Sequence, residues 1–196
     1  MKAIVFDFDG VIADTYDFNM GLVKEVGHNV SDEDFKAHHD CNCLEKPKIA
    51  FTGESYNNFL KKYLERITRV KSFFTLENIQ AIKKISSLYI ISSTKEQSIK
   101  KFLDYNNLSY FDAILGYDFH KSKVEKFKYL LKKYNLKPDE VVFVTDTLGD
   151  ILEANKVNVK TIAVDYGFHD LNRLKRGSPF EIVSNFDELL KVIKNM

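Results

Sequence analysis

The segment Ile4-Val5-Phe6-Asp7-Phe8-Asp9-Gly10-Val11 determines how the rest of the chain is interpreted. Its apolar first half is typical of a buried β-strand, and two carboxylates follow where that strand ends. Because side chains alternate along an extended chain, Asp7 and Asp9 leave it on the same side. Two carboxylates about 4 Å apart repel by on the order of 4 kcal/mol at an effective dielectric of about 20. The segment therefore predicts an acidic site whose repulsion is relieved by a proton or, most simply, by a divalent metal.

The composition of the chain limits the classes of protein to which it can belong. Its 196 residues allow one core domain with an insertion or two small domains, and 44% hydrophobic with 29% charged residues is ordinary for a soluble globular protein. A net charge of +1 gives no electrostatic reason to expect nucleic-acid binding. The apolar runs are too short to span a membrane, and the N-terminus has no signal-peptide pattern. Cys41 and Cys43 are too close in sequence for a typical structural disulfide, so we expect a cytoplasmic protein.

Beyond the first strand, strand patterns alternate with helical patterns. Five later segments have the apolar character of buried strands: Leu88–Ile91, Ala113–Leu115, Val141–Val144, Thr161–Val164 and Glu181–Val183. Residues 15–74 contain no convincing strand and show helical spacing instead. This order predicts an α/β fold, a three-layer Rossmann-like parallel sheet with a small all-helical cap inserted after the first strand. We predict a core domain of residues 1–14 and 75–196 and a cap domain of residues 15–74.

Polar residues follow three of the predicted strands, and the carboxyl ends of parallel strands meet at one edge of the sheet. The first strand is followed by Asp7 and Asp9, the second by Ser92 and Ser93, and the strand that ends at Val144 by Asp146 and Asp150. Lys121 opens the helix that precedes Val141, with Lys123 as a rival two residues later. Acids, hydroxyls and one lysine at a single edge suit a phosphate that a magnesium ion bridges to carboxylates.

These residues, in this order, resemble the four motifs of haloacid-dehalogenase (HAD) superfamily phosphohydrolases, in the branch of phosphoglycolate phosphatases and β-phosphoglucomutases. The resemblance covers nearly the whole chain. Asp7-Phe8-Asp9-Gly10-Val11 matches the first motif and Ile91-Ser92 the second. The lysine motif falls on Lys121, because its spacing to Phe127 fits the usual register. Residues 145–150, Thr-Asp-Thr-Leu-Gly-Asp, match the fourth motif, with a threonine in place of the usual glycine.

The resemblance implies a role for each acid. Asp7 would be the nucleophile that forms an aspartyl-phosphate, and Asp9 would act first as general acid and then as general base. Asp7, the backbone carbonyl of Asp9, and Asp146 would hold Mg²⁺. Asp150 would orient water or the lysine without touching the metal.

The resemblance also implies how the phosphoryl group is bound. Ser92 and the backbone N–H of Ser93 would bind its oxygens, and Lys121 would neutralise part of its charge. The implied protein is a Mg²⁺-dependent phosphatase for a small phosphorylated metabolite. Asp9 argues against dehalogenases and phosphonatases, which do not keep an acid two residues after the nucleophile.

Two alternatives use the same scaffold. A phosphomutase of the β-phosphoglucomutase type would return the phosphoryl group from Asp7 to its substrate. A non-catalytic phospholigand-binding or regulatory protein would bind without turnover, but such a protein has no physical need of both Asp7 and Asp9.

The segment His38-His39-Asp40-Cys41-Asn42-Cys43 has three interpretations. It could bind zinc, although its spacing matches no closed four-ligand site. It could be a polar surface turn of the cap. Because the resemblance implies a cap that closes over the active site, His38, His39, Lys46 and Lys48 are also candidates to contact an anionic leaving group.

Overall fold

A six-stranded parallel β-sheet forms the centre of the protein in a computed structural model that describes all residues, 1–196. The strands are β1 (Ala3–Phe6), β2 (Ser87–Ile91), β3 (Ala113–Leu115), β4 (Val141–Thr145), β5 (Lys160–Val164) and β6 (Glu181–Val183). Their order in the sheet is β3-β2-β1-β4-β5-β6, and each neighbouring pair is parallel. The predicted α/β fold class and all six predicted strands are confirmed.

Nine α-helices surround this sheet. They are α1 (Tyr16–Glu25), α2 (Asp32–His38), α3 (Gly53–Arg66), α4 (Leu76–Lys83), α5 (Glu96–Tyr105), α6 (Lys123–Lys133), α7 (Leu148–Asn155), α8 (Leu171–Lys175) and α9 (Phe186–Lys194). Alternate residues of β1 pack into different hydrophobic clusters, Ile4 and Phe6 into one and Ala3 and Val5 into the other. Because side chains alternate between the two faces of a strand, the sheet is covered on both faces and the core has three layers. None of the helices combines the length and the hydropathy needed to cross a membrane.

Helices α1, α2 and α3 lie between β1 and β2 without contributing a strand to the sheet. The chain segments that enter and leave this helical region pair with each other, through an antiparallel bridge between Ala13 and Ser72 and a hydrogen bond from Asp14 N–H to the Lys71 carbonyl. These paired segments lie close to the predicted boundaries. The division into a core domain and a cap domain stays a prediction.

The helical region packs over the carboxyl edge of the sheet. Tyr63 and Ile67 belong to the same hydrophobic cluster as Phe6 of β1. On the opposite side of the edge, Arg173 of α8 forms ion pairs of 2.5 Å with Glu33 and 2.9 Å with Asp40. Residues 15–74 therefore cover the carboxyl ends of β1, β2 and β4.

Candidate active site

The residues that follow β1, β2 and β4 border one cavity of about 140 Å³. The predicted site residues that line it are Asp7, Asp9, Ser92, Ser93, Asp146 and Asp150. They meet because β1 lies between β2 and β4 in the sheet. Gly10 permits the closest approach: its φ is +71°, and a Cβ at this position would lie 1.9 Å from Oδ2 of Asp146.

Lys123 is the lysine that contacts the acids of this cavity, and the prediction that Lys121 enters it is wrong. Nζ of Lys123 lies 2.8 Å from Oδ2 of Asp7 and 2.5 Å from Oδ2 of Asp150, whereas Lys121 is exposed and precedes α6. Helix α6 begins at Lys123, whose N–H donates to Oε1 of Glu153 at 2.9 Å. The lysine of the site therefore stands four residues before Phe127, not six, and the motif spacing that predicted Lys121 misplaced it.

Asp7, Lys123 and Asp150 form a buried cluster of interacting charges. Burial raises the pKa of Asp7, against the opposing effect of the Lys123 ammonium. Burial also acts to raise the pKa of Asp150, but Lys123 and the hydrogen bonds that Asp150 accepts hold this pKa below its usual range. For Lys123, burial disfavours the charged form, yet the two carboxylates outweigh it and raise the pKa. Lys123 is therefore a permanent cation beside Asp7.

Thr145 takes part in this cluster as well. Its hydroxyl donates a 2.8 Å hydrogen bond to Oδ2 of Asp150, the same oxygen that Lys123 contacts. A glycine at position 145 would leave that bond unmade. The departure from the usual fourth motif thus adds a group that holds Asp150 and, through it, Lys123.

Asp146 has the properties expected of a metal ligand. Its Oδ2 accepts a 2.7 Å hydrogen bond from Phe168 N–H, while its Oδ1 is buried without any hydrogen-bond partner. Burial, only partly opposed by the Phe168 N–H, raises the pKa of Asp146 to about 8. Three buried carboxyl groups, on Asp7, Asp146 and Asp150, face a single ammonium, so a bound cation would favour the ionised form of all three.

The donor set fits a hydrated divalent cation. No three His, Cys, Asp or Glu side chains converge into a ready-made metal cage. Mg²⁺ does not require one, because it keeps several waters and is commonly held by one or two carboxylates. Asp7 and Asp146, with the Asp9 carbonyl, are the groups in this cavity that could hold it.

Three groups that sequence reasoning missed hold the side chain of Asp9. Its Oδ1 accepts hydrogen bonds from the Tyr63 hydroxyl at 2.7 Å and from Nδ2 of Asn19 at 3.2 Å, and its Oδ2 accepts one from the Thr94 hydroxyl at 2.5 Å. Tyr63 lies on α3 and Asn19 on α1, so the helical region fixes the second acid of the first motif. Thr94 could have been suggested by its place in the Ser92-Ser93-Thr94 loop. No sequence signal marks Tyr63 or Asn19.

Ser92 lines the cavity directly after β2. Its side chain is buried, and its Oγ accepts a 3.0 Å hydrogen bond from Thr94 N–H. Because Oγ acts as the acceptor in that bond, its own O–H is left to donate to a ligand.

The segment 38–43 covers the cavity and does not form a zinc site. The carbonyl of His39 accepts a 3.0 Å hydrogen bond from Gly149 N–H, and Nδ2 of Asn42 donates to Oε1 of Glu153 at 3.0 Å. A Cβ at position 149 would lie 2.8 Å from that carbonyl, so glycine permits this close contact. The zinc interpretation is wrong, because no cluster of potential ligands forms here.

Comparison with known proteins agrees with the family resemblance of the sequence motifs. A family model described as haloacid dehalogenase-like hydrolase matches residues 4–164. The chain is 24% identical to pyrophosphatase PpaX of Oceanobacillus iheyensis, over 98% of this chain and 97% of that protein. It is 23% identical to a phosphoglycolate phosphatase of Synechococcus elongatus, over 100% of this chain and 99% of that protein. A solved structure of a haloacid dehalogenase-like hydrolase from Streptococcus pneumoniae has a TM-score of 0.82 at 18% identity, covering 98% of each chain. The chain belongs to the haloacid dehalogenase-like hydrolase family.

Proposed function

We propose that this phosphatase hydrolyses a small phosphorylated metabolite through an aspartyl-phosphate on Asp7, with Mg²⁺ as its cofactor. The observation that carries the proposal is the position of Asp7, whose Oδ2 lies 2.8 Å from the Lys123 ammonium in the cavity that the unpartnered Asp146 also lines. The names of the relatives, pyrophosphatase and phosphoglycolate phosphatase, support phosphoryl chemistry.

In the first step, a carboxylate oxygen of Asp7 attacks phosphorus and the bond between phosphorus and the leaving oxygen breaks. Asp9 gives its proton to that oxygen, so the product leaves as a neutral alcohol. In the second step, Asp9 takes a proton from a water molecule, which attacks the phosphorus of the aspartyl-phosphate and releases orthophosphate and the Asp7 carboxylate.

The charge of the phosphoryl group must be neutralised throughout. Mg²⁺, when bound by Asp7, Asp146 and the Asp9 carbonyl, supplies Lewis-acid stabilisation and offsets the repulsion between the nucleophile and the phosphate. Lys123 supplies a fixed positive charge, which Asp150 and Thr145 hold in place. The hydroxyl of Ser92 and the N–H of Ser93 donate to the phosphoryl oxygens.

The proposal is tested by measuring orthophosphate release from a panel of phosphorylated metabolites. Release that requires Mg²⁺, stops in EDTA and is abolished in Asp7→Asn is the expected result. The variant should still fold, because asparagine is isosteric with aspartate. Full turnover by Asp7→Asn would overturn the assignment of the nucleophile. Transfer of the phosphoryl group to a second sugar phosphate, without orthophosphate release, would favour the phosphomutase alternative.

A further inference from the structure

The cavity has a second wall, formed by the helical region, which we call the cap wall: the cavity-lining residues that lie between 15 and 74. Its apolar members include Val23, Leu44, Ile49, Phe51, Phe59 and Leu60. None of the cap-wall residues is a lysine, an arginine, an aspartate or a glutamate. The leaving group of a phosphate bound at Asp7 would lie against this wall.

The cationic residues of the helical region lie elsewhere. Lys46 and Lys48, which the sequence suggested as contacts for an anionic leaving group, are exposed and do not line the cavity, so that prediction is wrong. Lys62 and Arg66 of α3 form ion pairs of 2.6 and 2.7 Å with Glu25 outside the cavity. Residues 15–74 hold nine lysines and arginines and nine aspartates and glutamates, and none of these side chains lines the cavity.

Two lysines do line the cavity, and neither comes from residues 15–74. Lys123 is paired with Asp7 and Asp150. Lys95 directly follows the loop of Ser92 and Thr94, which borders the phosphoryl position. Neither lysine belongs to the cap wall.

The two histidines of the cap wall are neutral and engaged with the backbone. Burial lowers the pKa of His38 to about 4 and that of His39 to about 3. Nδ1 of His38 accepts hydrogen bonds from the N–H groups of Lys48 and Ile49, and Nδ1 of His39 contacts the Phe35 carbonyl at 2.9 Å. These imidazoles therefore offer no positive charge to an anionic leaving group at neutral pH.

We propose that this site takes phosphate monoesters of uncharged, largely apolar alcohols, and that it discriminates against pyrophosphate and phosphoglycolate. The inference rests on the proposed phosphatase function and concerns the leaving group only. A second phosphate or a carboxylate at the cap wall would be desolvated without a counter-ion, which is strongly unfavourable. An alkyl or aryl group would instead exchange water for apolar contacts. The substrate thus differs in charge class from those named for the two relatives.

The decisive experiment compares kcat/KM of the Mg²⁺-loaded protein on ethyl, butyl and phenyl phosphate, 2-phosphoglycolate and pyrophosphate. Each added methylene from ethyl to butyl should raise kcat/KM about fourfold, which corresponds to about 0.8 kcal/mol. The two anionic substrates should fall at least about a hundredfold below butyl phosphate.

The possible outcomes separate the two proposals. The proposed substrate class is overturned if pyrophosphate or phosphoglycolate is hydrolysed with a kcat/KM within about tenfold of that for butyl phosphate. It is also overturned if kcat/KM does not change from ethyl to butyl phosphate. Either result leaves the proposed phosphatase function intact. Hydrolysis of none of the five compounds contradicts the proposed phosphatase, and the substrate inference with it.

A matched pair of variants on α3 tests the wall itself. Leu60 lines the cavity, whereas Asn57 of the same helix is exposed and does not. Leu60→Lys places a cation at the wall and should lower the ratio of kcat/KM for butyl phosphate to that for phosphoglycolate by more than about tenfold. Asn57→Lys should leave this ratio unchanged. Equal ratios in the two variants would mean that the leaving group does not contact this wall.

Discussion

The two ends of the cavity have opposite chemical character. At the phosphate end, the residues after β1, β2 and β4 bring together buried carboxylates, a lysine and hydroxyl groups. At the other end, residues 15–74 supply a wall without a charged side chain. The difference supports the two proposals made above, in which the residues at the strand ends carry the reaction and the inserted helices select the alcohol.

Asp9 lies where the two ends meet. It follows β1, but two of the three side chains that hold its carboxylate, Tyr63 and Asn19, come from the inserted helices. In the proposed mechanism, packing of the inserted helices would influence proton transfer to the leaving group through Asp9. Variants of Asp9, of the phosphate end and of the inserted helices can therefore test whether the two ends have separate roles.

After Asp7→Asn, which removes the proposed nucleophile, the largest effect should come from Asp9→Asn. The variant cannot protonate an alkoxide, so turnover of butyl phosphate should fall by about 10²–10⁴. With p-nitrophenyl phosphate, whose leaving group needs little protonation, a first burst of nitrophenolate should persist while steady-state turnover is slow. Rapid-mix kinetics measure both quantities. Asp14→Asn, at an exposed acid five residues later, is the control and should behave as wild type. Normal turnover of butyl phosphate by Asp9→Asn would show that Asp9 is not the general acid.

Lys123→Met should have the next largest effect on activity. Loss of the cation beside Asp7 should lower kcat/KM by about 10²–10³, as for removal of one preorganised transition-state donor. It should also destabilise the fold by about 3–5 kcal/mol, since Asp7 and Asp150 lose their buried partner. Urea unfolding separates this effect from catalysis. Lys121→Met, at the exposed lysine, should change neither quantity, and a larger loss at Lys121 would reverse the geometric assignment.

The two lysines show what could be read from the sequence and what could not. The order of strands and the rule that ligands bind beyond their carboxyl ends were sufficient to bring Asp7, Ser92 and Asp146 to one edge. The lysine depended on where α6 begins, and helix ends are uncertain by one or two residues in any assignment. Lys121 and Lys123 are two residues apart, which is within this uncertainty, so only the three-dimensional structure distinguished them.

The cap wall was beyond sequence reasoning for a different reason. Which side chains of α1 and α3 face the cavity depends on how the inserted helices lie against the sheet, and local periodicity does not determine this. The same limit applies to Tyr63, whose spacing on α3 is that of an ordinary core residue. The charges of residues 15–74 were visible in the sequence, but their position outside the cavity was not.

Tyr63→Phe should have an intermediate effect, because it removes one hydrogen bond to Asp9 and little else. We expect kcat for butyl phosphate to fall about tenfold with KM nearly unchanged. If Tyr63 acts by positioning Asp9, the loss should be clearly smaller for the p-nitrophenolate burst, whereas a purely structural role would affect both alike. Tyr16→Phe removes a hydroxyl that bonds Asp32 outside the cavity, and it should leave both rates unchanged.

The smallest effect on activity should come from Lys126→Met, which removes positive charge behind the phosphate end. Lys126 is fully buried, and its Nζ donates to the Ser92 carbonyl at 2.5 Å. Burial, reinforced by the nearby Lys123 ammonium, lowers its pKa to about 8. Its pKa in the unfolded chain is about 10.4. Between these two values the unfolded state binds more protons, so this group makes the wild type more stable as pH rises.

The free energy of unfolding of wild type relative to Lys126→Met should therefore increase from pH 8 to pH 10, by about 1–3 kcal/mol. Loss of the bond to Ser92 adds a destabilisation that does not depend on pH. Lys128→Met, at an exposed lysine of the same helix, should parallel wild type at every pH. Urea unfolding at pH 7, 8, 9 and 10 measures the three proteins. Parallel curves for Lys126→Met and wild type would mean that Lys126 keeps its ordinary pKa in the folded protein. The phosphate end would then keep the positive charge of Lys126 up to about pH 10, which would sharpen its contrast with the uncharged cap wall.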